Sequence, residues 1–272
     1  MLRQRILTAL VLIPAVILAV LWLPTGPFAG LLAVLVLMGA WEWSNLVGLR
    51  ANLARVQYVA LVAMVMWMAW WWQGQPVARV ILLLGFTGWL LALVWISRPD
   101  FARDNSPLKA VAGFLVLVPA WLGLVLLHAR PDIGPALVLF LMVLIWVADS
   151  GAYFAGRRWG RVKLAPRVSP GKTWEGVYGA LAACALVALL GAWWMGGTPR
   201  QTVSFLLICL VTILFSIAGD LLESLMKRQR GIKDSGQLLP GHGGVLDRVD
   251  SLTAAAPVFV LGLYWTELWV VL

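Results

Sequence analysis

Charged side chains are scarce in this sequence. Asp, Glu, Lys and Arg make up 12% of its 272 residues, whereas 62% of the residues are hydrophobic. Because soluble domains average about 25% charged residues, this composition excludes a soluble globular protein. It also leaves no soluble domain to carry a nucleic-acid-binding surface, so nucleic acid is not an expected partner. The composition predicts an all-α integral membrane protein.

Cysteine and histidine are also rare, with two of each in the whole chain. Cys184 and Cys209 both fall inside apolar segments, where we expect reduced core side chains rather than a disulfide or a thiolate metal site. His128 lies at the end of an apolar segment, apart from the other polar groups, and is interpreted as structural. His242 stands among glycines, where a structural or phosphate-binding role is favoured over that of a general base.

Long apolar windows divide the chain into about nine predicted transmembrane helices. The predicted spans cover residues 6–23, 28–47, 56–72, 78–96, 108–127, 134–155, 176–195, 203–226 and 252–271. The first five spans belong to a predicted N-terminal scaffold, residues 1–130. The last four, with cytoplasmic loops 156–176 and 227–250, form a predicted C-terminal catalytic domain, residues 131–272.

The basic residues are distributed unevenly between the two sides of these nine spans. If the N-terminus is cytoplasmic, eighteen of the 21 Lys and Arg residues lie on the inner side. The outer segments keep Arg79, Arg130 and Arg200. Because cytoplasmic loops of membrane proteins are enriched in basic residues, the pattern predicts a cytoplasmic N-terminus and an outer C-terminus.

The segment from Ser224 to Asp250, SLMKRQRGIKDSGQLLPGHGGVLDRVD, concentrates charge and glycine in an otherwise apolar chain. Lipid contact does not explain such a composition. Basic groups bind phosphates, carboxylates bind hard cations, and glycines allow the backbone to approach a ligand. The segment therefore predicts an anionic-substrate and metal site at the membrane surface.

Three carboxylates flank this segment. Asp220 lies near the end of predicted helix eight, and Asp247 and Asp250 precede helix nine, so a loop that returns to the same membrane face can bring them together. Three oxygen donors without cysteine or a histidine pair suit Mg²⁺. The alternative is that these acids only neutralise nearby basic residues, namely Lys227, Arg228 and Arg248.

The basic side chains of the segment are interleaved with aspartates and glycines, which favours contact with phosphate oxygens. The candidates are Lys227, Arg228, Lys233 and Arg248, with weaker support for Arg230. Charge alone does not decide this point, because every predicted inner loop is basic.

Polar side chains recur at helical spacing in two predicted spans. Asp149 and Tyr153 are one turn apart at the inner end of helix six and share a face. Helix eight carries a stripe formed by Ser216, Asp220, Ser224 and Lys227. Acids inside a span cost about 2.5–3.5 kcal/mol each at the centre of the bilayer, so their presence indicates a function.

The basic loop 156–176 contains Gly171, Lys172 and Thr173, which resemble the end of a P-loop. Pro166 stands where that motif requires glycine, so the P-loop is rejected. Ser169, Lys172 and Thr173 remain candidate phosphate contacts. The alternative is a solvated loop whose charge only follows the positive-inside pattern.

The five predicted N-terminal helices contain one carboxylate, Glu42, near the inner end of helix two. It lies beside Trp41 and Trp43, residues typical of a membrane interface. Glu42 is interpreted as a side chain that reaches the interface or pairs with a nearby arginine.

These residues together resemble a known signature. The segment 224–250 resembles that of phosphatidate cytidylyltransferases (CDP-diacylglycerol synthases) at Ser224, Lys227, Arg228, Lys233, Asp234, Pro240, His242, Gly243, Gly244, Asp247, Arg248 and Asp250. The segments DSGAYFAGRRWG from Asp149 and SPGKTWEG from Ser169 also resemble the family. The first 120 or so residues match only in hydropathy.

The resemblance implies transfer of the cytidylyl group of CTP to phosphatidic acid, giving CDP-diacylglycerol and pyrophosphate. It implies that Mg²⁺ is required and bound by Asp220, Asp247 and Asp250, with a second, monovalent cation left open. It also implies a homodimeric helical fold in a bacterial inner membrane, with a polar cavity open to the cytoplasm and the bilayer.

We expect catalytic roles for Asp220, Lys227, Arg228, Lys233, Asp234, Asp247, Arg248 and Asp250. We expect substrate contacts from Asp149, Tyr153, Ser169, Lys172, Thr173, Ser224, His242, Gly243 and Gly244.

Two rival functions stay open. One is another CTP-dependent membrane lipid transferase, of the CDP-archaeol synthase or polyprenol kinase type. The other, less favoured, is an ion-coupled transporter that uses Asp149 and Asp220. Transport predicts acids near the bilayer midplane, whereas these acids lie at predicted inner helix ends and the outer segments carry little charge.

Overall fold

The computed structural model describes residues 2–73, 76–236, 243–266 and 268, and side chains from residue 10 onward. These residues contain nine α-helices and one short β-hairpin. In chain order they are α1 (Leu2–Trp22), α2 (Thr25–Val47), α3 (Asn52–Trp71), α4 (Pro76–Ser97), α5 (Ser106–His128), α6 (Gly134–Trp159), β1 (Lys163–Ala165), β2 (Ser169–Thr173), α7 (Trp174–Trp194), α8 (Pro199–Arg230) and α9 (Leu246–Trp265).

Seven of these helices, α2 to α8, are long and apolar enough to cross a membrane. This finding agrees with the predicted class of an all-α, multi-pass membrane protein. In α1 the apolar part with described side chains is shorter, and α9 begins with a charged turn. The count of nine crossings and the orientation of the termini stay predictions.

Local sequence signals account for several helix ends. The Asn105 side chain accepts a hydrogen bond from the Leu108 backbone N–H and caps α5. Thr198 and Gln201 form a reciprocal capping box at the start of α8. The strong cap and the proline that follows it explain why α8 begins four residues earlier than its predicted span.

Helix α5 lies at the centre of the bundle. It packs against α2, α4 and α9, and it is the most enclosed of the seven membrane-type helices. Helices α6 and α7 pack together as a pair, and α8 lies along α9. The arrangement brings the ends of α6, α8 and α9 to the same end of the molecule as the hairpin.

The prediction of a loop over 156–176 is wrong in detail. Helix α6 continues to Trp159, strands β1 and β2 pair antiparallel with Lys163 opposite Thr173, and α7 begins directly after β2. Val168 in the turn is buried and anchors the hairpin in the core. The strands are too short, and the segment too rich in glycine and proline, to show a strand period in the sequence.

The predicted loop 227–250 is likewise shorter than expected. Lys227 and Arg228 belong to the last turn of α8, and Asp247 and Asp250 lie in the first turns of α9. Hydropathy missed both helix ends because their side chains are polar.

Candidate active site

The hairpin and α8 meet through an ion pair. Lys172 on β2 places its Nζ 2.7 Å from Oδ2 of Asp220, and both side chains are partly exposed. The Ser224 hydroxyl, one turn further along α8, donates to Oδ1 of Asp220 at 3.3 Å. The predicted polar stripe of α8 therefore contains a real side-chain contact, and it is joined to a candidate from a distant part of the chain.

A cavity of about 460 Å³ lies beside this ion pair, enclosed by α6, α7, α8 and the hairpin. Its volume falls within the range of small-molecule sites. The polar side chains that line it are Asp149, Tyr153, Arg157, Lys172, Thr173 and Asp220. All of these except Arg157 are predicted site residues. The structure thus brings together five candidates from three separate segments of the sequence.

Two of these lining residues have local partners. The Tyr153 hydroxyl accepts a hydrogen bond from Arg157 at 2.8 Å. Thr173 is buried, and its Oγ1 accepts a hydrogen bond from the Gly176 backbone N–H at the start of α7. Thr173 therefore acts first as a helix cap, a role that the resemblance to a P-loop did not suggest.

A second polar cluster joins α8 to α9. Lys227 donates to Oδ1 of Asp247 at 2.6 Å and to Oε2 of Glu223 at 3.2 Å. The side chains of Lys227 and Asp247 are 14% and 7% exposed, so the ion pair is largely withdrawn from solvent. Removing one partner of such a pair is strongly destabilising, because the remaining charge is left buried and unpaired.

Asp247 also holds the turn that precedes α9. Its Oδ2 accepts hydrogen bonds from the Ser235 N–H at 2.9 Å, the Ser235 hydroxyl at 2.8 Å and the Gly244 N–H at 2.9 Å. Both oxygens of Asp247 are therefore bound by protein donors. In this arrangement the carboxylate orders the loop as well as balancing Lys227.

Asp250 lies where α8 and α9 touch. A Cβ at Gly219 would overlap the backbone oxygen of Asp250, so only glycine allows this approach. The Asp250 carboxylate accepts a hydrogen bond from the Ser251 N–H at 2.7 Å, and Asp250 lines a small cavity together with Glu223. Oε1 of Glu223 is buried and has no hydrogen-bond partner in the described part of the chain.

Asp220, Asp247 and Asp250 are the three side chains expected to bind the metal. Among the described residues, no group of three or more His, Cys, Asp or Glu side chains is arranged as a metal-binding set. Asp250 packs against α8 at Gly219, the residue before Asp220, whereas Asp247 is turned to Lys227. The donor chemistry still fits a hard cation, because the unpartnered Glu223 oxygen and Asp250 line a small cavity of about 10 Å³.

The other candidates lie outside the cavity lining. Arg228 and Arg248 are exposed at the end of α8 and the start of α9, and Lys233 and Asp234 are exposed in the segment that follows α8. Ser169 pairs with Ala165 in the hairpin. Gly243 adopts a left-handed backbone conformation with φ +82° before Gly244, the donor to Asp247. His242 and Pro240 lie outside the described residues.

Glu42 is the main residue that sequence reasoning misjudged. It is 3% exposed and accepts hydrogen bonds from the Val245 and Leu246 N–H groups at 3.0 and 2.8 Å. The interpretation of Glu42 as an interfacial or arginine-paired side chain is wrong, because the carboxylate is buried and bound by backbone N–H groups. The nearby Arg55 stacks on Trp41 instead. The available signal was its position as a lone carboxylate in an apolar helix.

An exposed ion pair ties the hairpin to the segment between α4 and α5. Arg167 and Arg103 both contact Asp100, and Arg103 does so at 2.9 Å. The hydrogen bond from Arg167 lowers the pKa of the Asp100 carboxyl below its usual value. Because these side chains are solvated, the contact orients the hairpin more than it stabilises the fold.

Comparison with known proteins supports the resemblance. The model of the cytidylyltransferase family matches residues 3–265. The phosphatidate cytidylyltransferase of Pseudomonas aeruginosa is 46% identical over 272 residues, which cover 99% of each chain. That of Haemophilus influenzae is 39% identical over 280 residues, covering 95% of this chain and 97% of the relative.

A more distant relative matches over a similar length. The phosphatidate cytidylyltransferase of Thermotoga maritima is 32% identical over 264 residues, covering 94% of each chain. The matches therefore include the N-terminal helices, which the sequence analysis related to the family by hydropathy alone. Together with the family match, they show that this chain belongs to the cytidylyltransferase family.

Proposed function

We propose that the protein transfers the cytidylyl group of CTP to phosphatidic acid, giving CDP-diacylglycerol and pyrophosphate. The observation that carries this proposal is the cavity where Lys172 and Asp220 meet, in a chain whose full-length relatives are named phosphatidate cytidylyltransferases. The cavity offers both basic and acidic groups at the end of a bundle of membrane-type helices. This combination suits a polar nucleotide and a lipid that meet at a membrane surface.

The reaction needs little help from a general base. A phosphate monoester oxygen of phosphatidic acid is ionised near pH 7 and attacks the α-phosphorus of CTP. The bond between the α-phosphorus and the oxygen bridging to the β-phosphate breaks, and pyrophosphate leaves with the electron pair. The main obstacle is repulsion between two polyanions, which basic side chains reduce.

Lys172 is the basic group best placed for this task. It lines the cavity, it is partly exposed, and its present partner Asp220 leaves two of its three N–H donors available for phosphate oxygens. Arg157 lines the same cavity and donates to Tyr153. We therefore assign phosphate contact to Lys172 first and to Arg157 second.

Lys227 has a different role in this proposal. It is 14% exposed and is bound between Glu223 and Asp247. From that position it orients the acids of α8 and α9 and adds positive charge near the cavity. Direct phosphate contacts by Arg228, Lys233 and Arg248 require the exposed ends of α8 and α9 to close over the substrate.

A divalent cation, proposed to be Mg²⁺, would be held by Asp250 and Glu223, which line the small cavity, with Asp220 of the larger cavity as the further ligand. When bound, it would supply charge neutralisation of the CTP phosphates. Asp247 joins these ligands only if it exchanges its contact with Lys227. The second, monovalent cation implied by the resemblance is not assigned to residues.

The remaining assignments concern the setting of the reaction. We propose that the site faces the cytoplasm, that the protein resides in a bacterial inner membrane, and that it acts as a homodimer. The bacterial relatives and the seven membrane-type helices support the location. The positive-inside pattern supports the orientation.

Pyrophosphate release by the purified protein tests the proposal. CTP, phosphatidic acid and Mg²⁺ are each omitted in turn, and all three omissions are expected to abolish release. Replacing phosphatidic acid with an isoprenoid phosphate, again measured as pyrophosphate release, or with a polyprenol, measured as CDP release, distinguishes the other CTP-dependent lipid transferases. Release that does not require phosphatidic acid would contradict the proposed reaction.

A further inference from the structure

The Glu42 carboxylate links the first half of the chain to the segment 235–247. Helix α2 carries this side chain into the core, where Oε1 accepts from the Val245 N–H and Oε2 accepts from the Leu246 N–H. Oε2 also lies 3.1 Å from the Ser235 hydroxyl. One carboxylate thus binds both ends of the loop that joins α8 to α9, although its donors are about 200 residues away in sequence.

The position suits an acidic group. The N–H groups at the start of an α-helix lack partners within the helix and carry a partial positive charge. Val245 and Leu246 are the N-cap and first residue of α9, and no side chain of the N-cap residue itself caps this end. Glu42 therefore acts as the cap of α9, supplied from another helix.

Two glycines of the loop make room for this carboxylate. A Cβ at Gly236 would overlap Oε1 of Glu42, and its three nearest neighbours would all be Glu42 atoms. A Cβ at Gly244 would overlap Oε2 of Glu42 and the Ser235 hydroxyl. The absence of side chains at these positions is thus explained by the approach of Glu42.

The contact continues toward the candidate active site. The Ser235 hydroxyl lies between Oε2 of Glu42, at 3.1 Å, and Oδ2 of Asp247, at 2.8 Å. Asp247 in turn accepts from Lys227 at 2.6 Å. The hydroxyl has one proton and donates to one of these carboxylates at a time, but the Ser235 backbone N–H also donates to Asp247 at 2.9 Å. Ser235 therefore connects Glu42 to Asp247, and Asp247 connects it to Lys227.

We propose that Glu42 is a positioning residue: it fixes the first turn of α9 so that Asp247 faces Lys227 and Asp250 packs against α8 at Gly219. This inference rests on the proposed function for the meaning of those acids. It assigns a part in the reaction to the N-terminal half of the chain, which the sequence analysis treated as scaffold. Glu42 itself touches neither substrate in this proposal.

The variant Glu42→Gln tests the contact with little change in volume. Its amide nitrogen would face a backbone N–H, so one donor loses its acceptor. Hydrogen–deuterium exchange of the peptide that contains residues 243–250 should become faster, a result that does not depend on any activity. Thr198→Ala is the control, since it removes a helix cap at the opposite end of α8 and should leave this exchange unchanged.

Steady-state kinetics of the same variants then tests the positioning role. Loss of a residue that orients site ligands typically costs about 10- to 100-fold, and we expect this loss in kcat with KM for CTP changed less than threefold. Thr198→Ala should keep wild-type kcat. Faster exchange in Glu42→Gln with unchanged kcat would overturn the positioning role, and unchanged exchange would overturn the contact itself.

A double-mutant cycle tests the same contact from its glycine side, and its Gly236→Ala member keeps Glu42 itself where Glu42→Gln folds poorly. Gly236→Ala should lower kcat strongly in the wild-type background, because the new Cβ displaces the carboxylate. In a Glu42→Ala background the same change should add less than twofold. Independent effects of the two changes on kcat would overturn the proposal. A wild-type protein that does not release pyrophosphate would overturn the proposed function, but the exchange data would still decide whether the Glu42 contact exists.

Discussion

Replacing Asp247 with Asn should separate its two candidate roles, neutralising Lys227 and serving the reaction. The Asn side chain keeps one oxygen that can accept from Ser235 and Gly244, so the turn before α9 is retained. The negative charge that faces Lys227 at 2.6 Å is lost. We expect correct membrane insertion and a large loss of turnover.

The size of each effect follows from the burial of the pair. Breaking a buried ion pair on one side costs roughly 3–5 kcal/mol, and the lower end applies here because Glu223 still faces Lys227 at 3.2 Å. Turnover should fall about 10²–10³-fold, as when a fixed electrostatic group is removed from an active site. The thermal midpoint of the detergent-solubilised protein and its rate of pyrophosphate release measure the two effects separately.

The double variant Asp247→Asn/Lys227→Met decides between the roles. Removing both charges should recover only part of the lost stability, since Glu223, which faces Lys227 at 3.2 Å in the wild-type protein, is then the buried charge without its partner. Turnover should stay low. Recovery of turnover to near the wild-type rate would refute the reasoning, because Asp247 would then only neutralise Lys227. Asp104→Asn, a change of an exposed aspartate away from the cavity, is the matched control and should alter neither quantity.

Three further predictions concern the cavity, the helix contact and the cation. Lys172→Met should raise KM for CTP about 10- to 100-fold, which is the loss expected for a hydrogen bond to a charged group. The thermal midpoint should change little. An unchanged KM would contradict phosphate contact by Lys172. Gly219→Ala should destabilise the protein by about 1–3 kcal/mol, because its Cβ overlaps the backbone of Asp250. Gly30→Ala is the control and should not destabilise the protein, because no atom lies within 4 Å of the new Cβ. Equal thermal midpoints of the two variants would contradict the close contact. Chelation of divalent cations should abolish pyrophosphate release and added Mg²⁺ should restore it; release that persists in chelator would contradict the proposed cation.

Much of the helical layout could be predicted because hydropathy is a local property. Each predicted span overlaps one of the observed helices in the described residues, and seven of those helices meet the length and composition of a membrane crossing. The errors fall where polar side chains lie inside helices, as in the last turn of α8 and the first turn of α9. The hairpin was missed for a different reason, because its strands of three and five residues are too short to show the alternation of a β-strand.

The candidate site could be predicted in part. Asp220, Lys172 and Asp149 were identified from their spacing and composition, and the structure places all three at one cavity. Their pairing did not follow from the sequence, because Lys172 and Asp220 are brought together by the packing of the hairpin on α8. The contacts of Asp247 with Lys227 and Ser235 likewise depend on the path of the loop between α8 and α9.

The sequence by itself determined the class of protein, the positions of most helices and the chemistry of the polar segment, because these depend on composition and on neighbours along the chain. Only the tertiary structure decided that Glu42 belongs with the segment 235–247. A carboxylate in an apolar helix must find donors, but the sequence does not state which ones, since hydrogen bonds to Val245 and Leu246 exist only once α2 and α9 have packed around α5. The polar segment from Ser224 to Asp250 is therefore interpreted correctly only together with α2, the helix whose Glu42 caps α9.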